Sequence, residues 1–165
     1  MKTKTLYSAV IAVSIFFFIG CENENDIQGL GNLVPKTVDQ DASIASIFVN
    51  GTQLHSEAFG NPNNPMLVFL HGGPGSDYRN GLNVKQLADE GYYVIFYDQR
   101  GSGLSKRHDK NTYSIQLMID DLSEIIKYYR KTPTQKIFLF GHSWGAMLAA
   151  AYVNQYPMAI NGVIL

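Results

Sequence analysis

From Ser43 onward the chain alternates between short apolar runs and longer stretches with apolar residues at helical spacing. Ile44 to Val49 is apolar and β-branched, Asn50-Gly51 is a hairpin turn signal, and Gln53 to Phe59 alternates apolar with polar. Two antiparallel strands are therefore predicted. Asn61 to Pro65 breaks the chain, and Met66 to Leu70 is a continuous apolar run, the pattern of a strand buried on both faces. A glycine-rich loop leads to a helix predicted from Leu82 to Glu90, stopped by Gly91. Tyr93 to Tyr97 and Ile137 to Phe140 read as two further buried strands. Between them Ile115, Met118, Ile119, Leu122, Ile125, Ile126 and Tyr129 recur at helical spacing. Thr112 or Ser114 can cap that helix, while Lys127, Arg130 and Lys131 suit its C-terminal dipole and Pro133 ends it. Gly145 to Tyr156 is apolar nearly all round, which predicts a buried helix stopped by Pro157, and Gly162 to Leu165 begins one more strand. Strands alternating with helices in this way predict an α/β fold with a doubly wound, mostly parallel sheet.

The chain before Ser43 has a different pattern. Lys2 and Lys4 precede an uncharged apolar run from Leu6 to Ile19. That run is shorter than the roughly 20 residues a membrane span needs, and it fits the apolar core of a secretory signal peptide. Gly20 and Cys21 follow, and Cys21 is the only cysteine. It is either an idle thiol beside an ordinary cleavage site or a lipidation site. A small residue before a cysteine at the end of such a run resembles the lipobox of bacterial lipoproteins. That resemblance implies cleavage before Cys21, acylation of it, and a lipid-anchored place in a bacterial cell envelope, at its periplasmic or surface face. Residues 1–20 are thus expected to be a leader and 21–42, rich in Glu, Asp, Gly and Pro, a flexible tether. The domain proper is expected over 43–165.

A net charge of -1 and 45% hydrophobic residues point to a globular domain and away from a nucleic-acid partner. In open parallel sheets, ligands bind beyond the carboxyl ends of the strands. Three loops with suggestive chemistry fall at such ends. Gly141-His142-Ser143-Trp144-Gly145 is a G-x-S-x-G between a strand and a helix. A nucleophile elbow holds its serine in a strained turn, so the residues two before and two after must be small. Ser143 is the candidate nucleophile. His71-Gly72-Gly73-Pro74-Gly75 follows the first buried strand, and its paired glycines let the main chain approach a substrate. The backbone N–H groups of Gly73 and Trp144 are the candidate donors to an oxyanion. His71 reads as a structural hydrogen-bonding residue and not as a general base. Asp98-Gln99-Arg100-Gly101-Ser102-Gly103-Leu104-Ser105 lacks the following helix and lysine of a phosphate loop. It reads as a turn pinned by Asp98 and Arg100, and no cofactor or metal is implied.

These three segments, together with Leu67-Val68-Phe69-Leu70 before the first loop, resemble the proline iminopeptidase branch of the α/β-hydrolases in residues, order and spacing. The resemblance runs from about Ser43 to the end and implies acyl-enzyme catalysis on a small peptide, with a small ester as the alternative substrate. In this fold the acid and the histidine follow the serine, yet nothing from Trp144 to Leu165 is Asp, Glu or His. His142 adjoins Ser143 but is expected to face away from its Oγ. The family's acid and base are therefore not expected among these residues, and 43–165 corresponds to the N-terminal part of such a domain, cut after the strand that follows the nucleophile helix. Two readings remain. The chain is part of a serine hydrolase whose 165 residues are inactive alone, or it is a non-catalytic lipoprotein of the same fold.

Overall fold

The structure, a computed structural model, describes residues 34–165. The leader at 1–20, Cys21 and most of the predicted tether lie outside the described residues. Six strands form one sheet: β1 (Ser46–Val49), β2 (Thr52–Phe59), β3 (Met66–Leu70), β4 (Tyr93–Tyr97), β5 (Ile137–Gly141) and β6 (Gly162–Ile164), in the order β1-β2-β4-β3-β5-β6. β1 and β2 pair antiparallel, as does β2 with β4; every other pairing is parallel. β3 lies at the centre, with Met66 opposite Tyr93 on one side and Ile137 on the other. All five of its side chains are buried, because a central parallel strand is covered on both faces.

The pleat sorts these side chains into two cores. Met66, Val68 and Leu70, with Ile95, Tyr97 and Leu139, face α1 (Ile115–Tyr129) and α2 (Trp144–Gln155). Leu67, Phe69, Val94 and Phe96 face the other way, onto Tyr78 and Val84. α1 starts where predicted: the Ser114 Oγ accepts a hydrogen bond from the Leu117 N–H at 3.1 Å, so Ser114 and not Thr112 is the cap. Met118, Ile119, Leu122, Ile125, Ile126 and Tyr129 form its buried stripe.

Three expectations are corrected. The helix predicted over Leu82–Glu90 is a 3₁₀ run, Tyr78–Ala88, capped by Asp77 and kinked at Gly81. Glycine is required at the kink, since a Cβ at Gly81 would collide with the Phe69 ring. α2 is not buried all round: Gly145, Leu148, Ala149 and Tyr152 are covered, while Met147 on another face is 65% exposed. β6 forms as expected, at the edge of the sheet, and its Val163 and Ile164 are exposed. The predicted tether does not reach residue 42. Val38 is 2% exposed and its N–H donates to the Leu104 carbonyl at 2.8 Å, so the packed unit begins at Pro35. A single docked valine and one backbone bond leave no periodic trace in the sequence.

Candidate functional site

β5 delivers the chain to Ser143 and α2 carries it away. At the junction Ser143 has φ 54° and ψ −116°, one of two positive-φ residues other than glycine among those described. Such a conformation costs about 1–3 kcal/mol and persists where its surroundings enforce it. Here the His142 N–H donates to the Leu70 carbonyl at 3.0 Å, and the Gly145 N–H donates to the His142 carbonyl at 2.9 Å. The flanking glycines are required sterically. A Cβ at Gly141 would lie 2.5 Å from the Ala146 Cα, and one at Gly145 would lie 2.5 Å from the Leu70 carbonyl carbon.

The loop after β3 closes over this elbow. A Cβ at Gly72 would be 3.4 Å from that of Ser143 and 3.1 Å from the His142 Nδ1, so the loop passes within van der Waals reach of the serine. Gly73 has φ +127° and Gly75 φ +98°, both in the region glycine favours. Neither the Gly73 nor the Trp144 N–H donates a hydrogen bond among the described residues. Trp144 is the first residue of α2, where N–H groups have no partner within the helix and the dipole is positive. The arrangement sets the Ser143 hydroxyl beside the glycine loop and the start of α2, where the Gly73 and Trp144 N–H groups donate no hydrogen bond among the described residues.

One side chain absent from the candidate set ties the loops together. Gln99 donates its backbone N–H to the His71 Nε2 at 2.9 Å and its Nε2–H to the His71 carbonyl at 2.9 Å, while its Oε1 accepts from the Trp144 indole N–H at 2.8 Å. An amide suits this position because it supplies a donor and an acceptor at once. Its place directly after Asp98 at a strand end was the available signal. The His71 Nε2 must be unprotonated to accept from Gln99, so Nδ1 carries the hydrogen and donates to the Gly72 carbonyl at 2.7 Å. Burial pushes the His71 pKa below the ordinary histidine value, which keeps the ring neutral. His71 is a brace for its own loop.

The third loop is pinned as expected, though Asp98 and Arg100 do not pair with each other. The Asp98 carboxylate accepts from the N–H groups of Tyr78 at 3.0 Å and Leu104 at 2.7 Å. Burial raises its pKa, and those hydrogen bonds oppose the rise. Arg100 forms a two-pronged buried pair with Asp121 on α1, at 2.9 and 2.7 Å, with side chains 5% and 2% exposed. Its Nη2 also donates to the Asn50 carbonyl at 3.1 Å, fastening the β1–β2 hairpin to the same pair.

The structure sets Gly72, the residue before Gly73, against Ser143, which Trp144 follows directly, and adds no base among the described residues. His55 bonds the Ala45 carbonyl, His71 is engaged as above, and His108 bonds the Thr52 hydroxyl. No hydrogen bond joins the Ser143 Oγ to any of the four histidines, all of which are described. Among the described residues, no three His, Cys, Asp or Glu side chains converge in a way that could hold a metal ion. A cavity of about 470 Å³ opens beside Trp144, between Pro74-Gly75, Gly101-Ser102 and the start of α1; Ser143 itself does not line it.

With this geometry in view, the chain is similar to known hydrolases. A family model described as serine aminopeptidase, S33 matches residues 61–165. A proline iminopeptidase of Thermoplasma volcanium is 35% identical over 99 residues, which is 60% of this chain and 33% of that protein. Epoxide hydrolase B of Mycobacterium tuberculosis is 32% identical over 117 residues, 69% of this chain and 32% of its own. The crystal structure of a Mycobacterium smegmatis proline iminopeptidase superposes with a TM-score of 0.63 at 26% identity, covering 72% of this chain and 42% of that one. The chain thus spans about a third of the length of these curated relatives.

Proposed function

The chain belongs to the serine aminopeptidase S33 family, and from that premise we propose that it supplies the nucleophile and the oxyanion donors of a serine hydrolase acting through an acyl-enzyme. The observation that carries this is the Ser143 backbone, held at φ 54° between two glycines that tolerate no Cβ. In the proposed reaction the Ser143 Oγ attacks the substrate carbonyl carbon. The N–H groups of Gly73 and Trp144 then hold the oxygen as it becomes negative, each worth roughly 10²–10³ in rate. The C–N or C–O bond breaks, the leaving group departs with a proton, and water releases the acid from the serine. A general base must take the Oγ proton, and no described residue hydrogen-bonds Oγ for that duty.

The substrate we propose is a short peptide, cleaved in the manner of a proline iminopeptidase. A small ester is the second reading, favoured by the cavity beside Trp144, which has no acidic side chain in its walls to receive a peptide amine. We further propose that acylation at Cys21 anchors the domain to a bacterial cell envelope, a reading that rests on sequence alone.

A fluorophosphonate probe tests the central proposal, with imidazole added at increasing concentration as an external base. Mass spectrometry should find the adduct on Ser143, formed faster as imidazole rises and absent from Ser143→Ala. No adduct at Ser143, or equal labelling of other serines, would refute the proposal and favour a non-catalytic protein.

A further inference from the structure

We propose that Gln99 is a positioning residue for acyl transfer at Ser143, its side-chain amide setting the Gly73 and Trp144 N–H groups at the spacing an oxyanion needs. The proposal deepens the serine-hydrolase reading and rests on it. Three neighbouring parallel strands end at the site, in the order β4-β3-β5. β4 runs on through Asp98 to Gln99, β3 into His71 and the glycine loop, and β5 into the elbow and α2. The candidate donors therefore stand on separate segments, Gly73 in the loop begun by His71 and Trp144 at the start of α2. Among the described residues, the hydrogen bonds between β3 and β5 end with the His142 N–H on the Leu70 carbonyl at 3.0 Å, before either donor residue. Gln99 reaches across the end of β3 and joins what lies beyond. Its Nε2–H donates to the His71 carbonyl at 2.9 Å, and its Oε1 accepts from the Trp144 indole N–H at 2.8 Å.

The brace is itself fixed. Gln99 is buried, its N–H donates to the His71 Nε2 at 2.9 Å, and its carbonyl accepts from the Ser102 N–H at 2.9 Å. Backbone and side chain are thus both fully bonded. Volume alone does not select glutamine here, since methionine fills nearly the same space. What selects it is a donor and an acceptor held in one plane, without charge. A carboxylate in this place would repel the His71 carbonyl and oppose the negative charge that develops on the substrate oxygen; an ammonium could not accept from the indole. Loss of the amide leaves the buried His71 carbonyl and the half-buried indole N–H without these partners, so the two segments lose their common reference. The backbone of Ser143 is enforced separately, by Gly141 and Gly145. The effect therefore falls on the donors and not on the nucleophile, and misplacement by about 1 Å slows a reaction by about 10²-fold.

The test uses the full chain, a fluorophosphonate probe and imidazole. Gln99→Met removes both amide bonds and should slow the labelling of Ser143 by about 10²-fold. Trp144 is the only tryptophan, so the chain has one indole N–H resonance, which should move upfield in this variant. Gln99→Glu separates the chemistry from the packing. As a carboxylate the new side chain accepts from the indole but repels the His71 carbonyl; as a carboxylic acid it again supplies one donor and one acceptor. Burial beside that carbonyl raises the pH at which it takes up its proton above the ordinary glutamate value of about 4.3. Its labelling rate, divided by the parent's at the same pH and imidazole concentration, should be about a tenth or less at pH about 8 and climb to within about threefold of the parent at pH about 5.5. The division cancels the titration of imidazole and of His71, which both proteins share. Circular dichroism should be the same at the two pH values, which places the change in the site and not in the fold. A ratio that stays flat with pH, or that only follows the folded signal, would overturn the proposal. So would an unmoved indole resonance or a parent-like labelling rate in Gln99→Met; if that variant does not fold, the Gln99→Glu ratio decides. In each of these cases an adduct on the parent's Ser143 leaves the hydrolase reading standing. No adduct on the parent would remove that reading and the proposal with it.

Discussion

Adding one methyl group at Gly145 should separate the elbow from the sheet. The Cβ of Gly145→Ala would overlap the Leu70 carbonyl oxygen and lie 2.5 Å from its carbon and 2.8 Å from the His71 oxygen, where real Cβ atoms keep at least 3.0 Å. All three obstacles are backbone, at the end of the central strand and the start of the loop that follows it, so no rotamer can give way. In an interior packed this densely, the start of α2 would have to withdraw by about 1 Å. Overpacking of this kind costs about 1–3 kcal/mol or more, and alanine returns up to about 1 kcal/mol through helix propensity. A net loss of about 2 kcal/mol lowers the melting temperature of a domain this size by roughly 5–10 °C. The same withdrawal carries the Trp144 N–H away from Gly73, and misplacement by about 1 Å slows a reaction by about 10²-fold. The assays are thermal unfolding by circular dichroism and the rate of fluorophosphonate addition to Ser143 with imidazole present. A variant that melts within about 2 °C of the parent and labels at the parent rate would show that Gly145 is not sterically required, and the elbow argument would fail.

Four further outcomes are expected. Ser143→Gly should remove the adduct yet raise stability by about 1 kcal/mol, because glycine accepts φ 54° freely; a lower unfolding midpoint would contradict the strain. Arg100→Met leaves Asp121 buried without its partner and should destabilise by about 3–5 kcal/mol, with most of that recovered in the double variant Arg100→Met/Asp121→Leu; a double variant no more stable than the single one would sink this account. Burial depresses the folded-state pKa of His71, so its contribution is fully present above the unfolded pKa of about 6.5 and is lost as pH falls towards the folded value. Denaturant midpoints should therefore drop between pH about 7 and 5, less steeply in His71→Gln, and parallel profiles would assign the slope elsewhere. Metabolic labelling with a fatty acid should mark the protein and fail in Cys21→Ser; an unlabelled parent with a free thiol would remove the anchor.

The strands and the main helix were legible because their signals are local. Met66–Leu70 and Tyr93–Tyr97 are continuous apolar runs, and the α1 stripe recurs at helical spacing up to Tyr129, so a short window of sequence suffices for each. The elbow was legible for a related reason: a turn with φ 54° at Ser143 demands small neighbours at fixed offsets, which places Gly141 and Gly145 in the sequence itself. The tertiary structure decided whatever depends on residues far apart in the chain. Gln99 bridges His71 to Trp144, Arg100 finds Asp121 and the Asn50 carbonyl, and Val38 docks on Leu104. None of these partners can be chosen from spacing, because a hydrogen bond is set by proximity in the folded chain and any polar neighbour could have filled it. The need for glycine at position 81 belongs to the same class, since the Phe69 ring on β3 takes the space a side chain would occupy. Local stereochemistry wrote the elbow into the sequence; the braces that hold it against the glycine loop exist only once the sheet has brought the strand ends side by side.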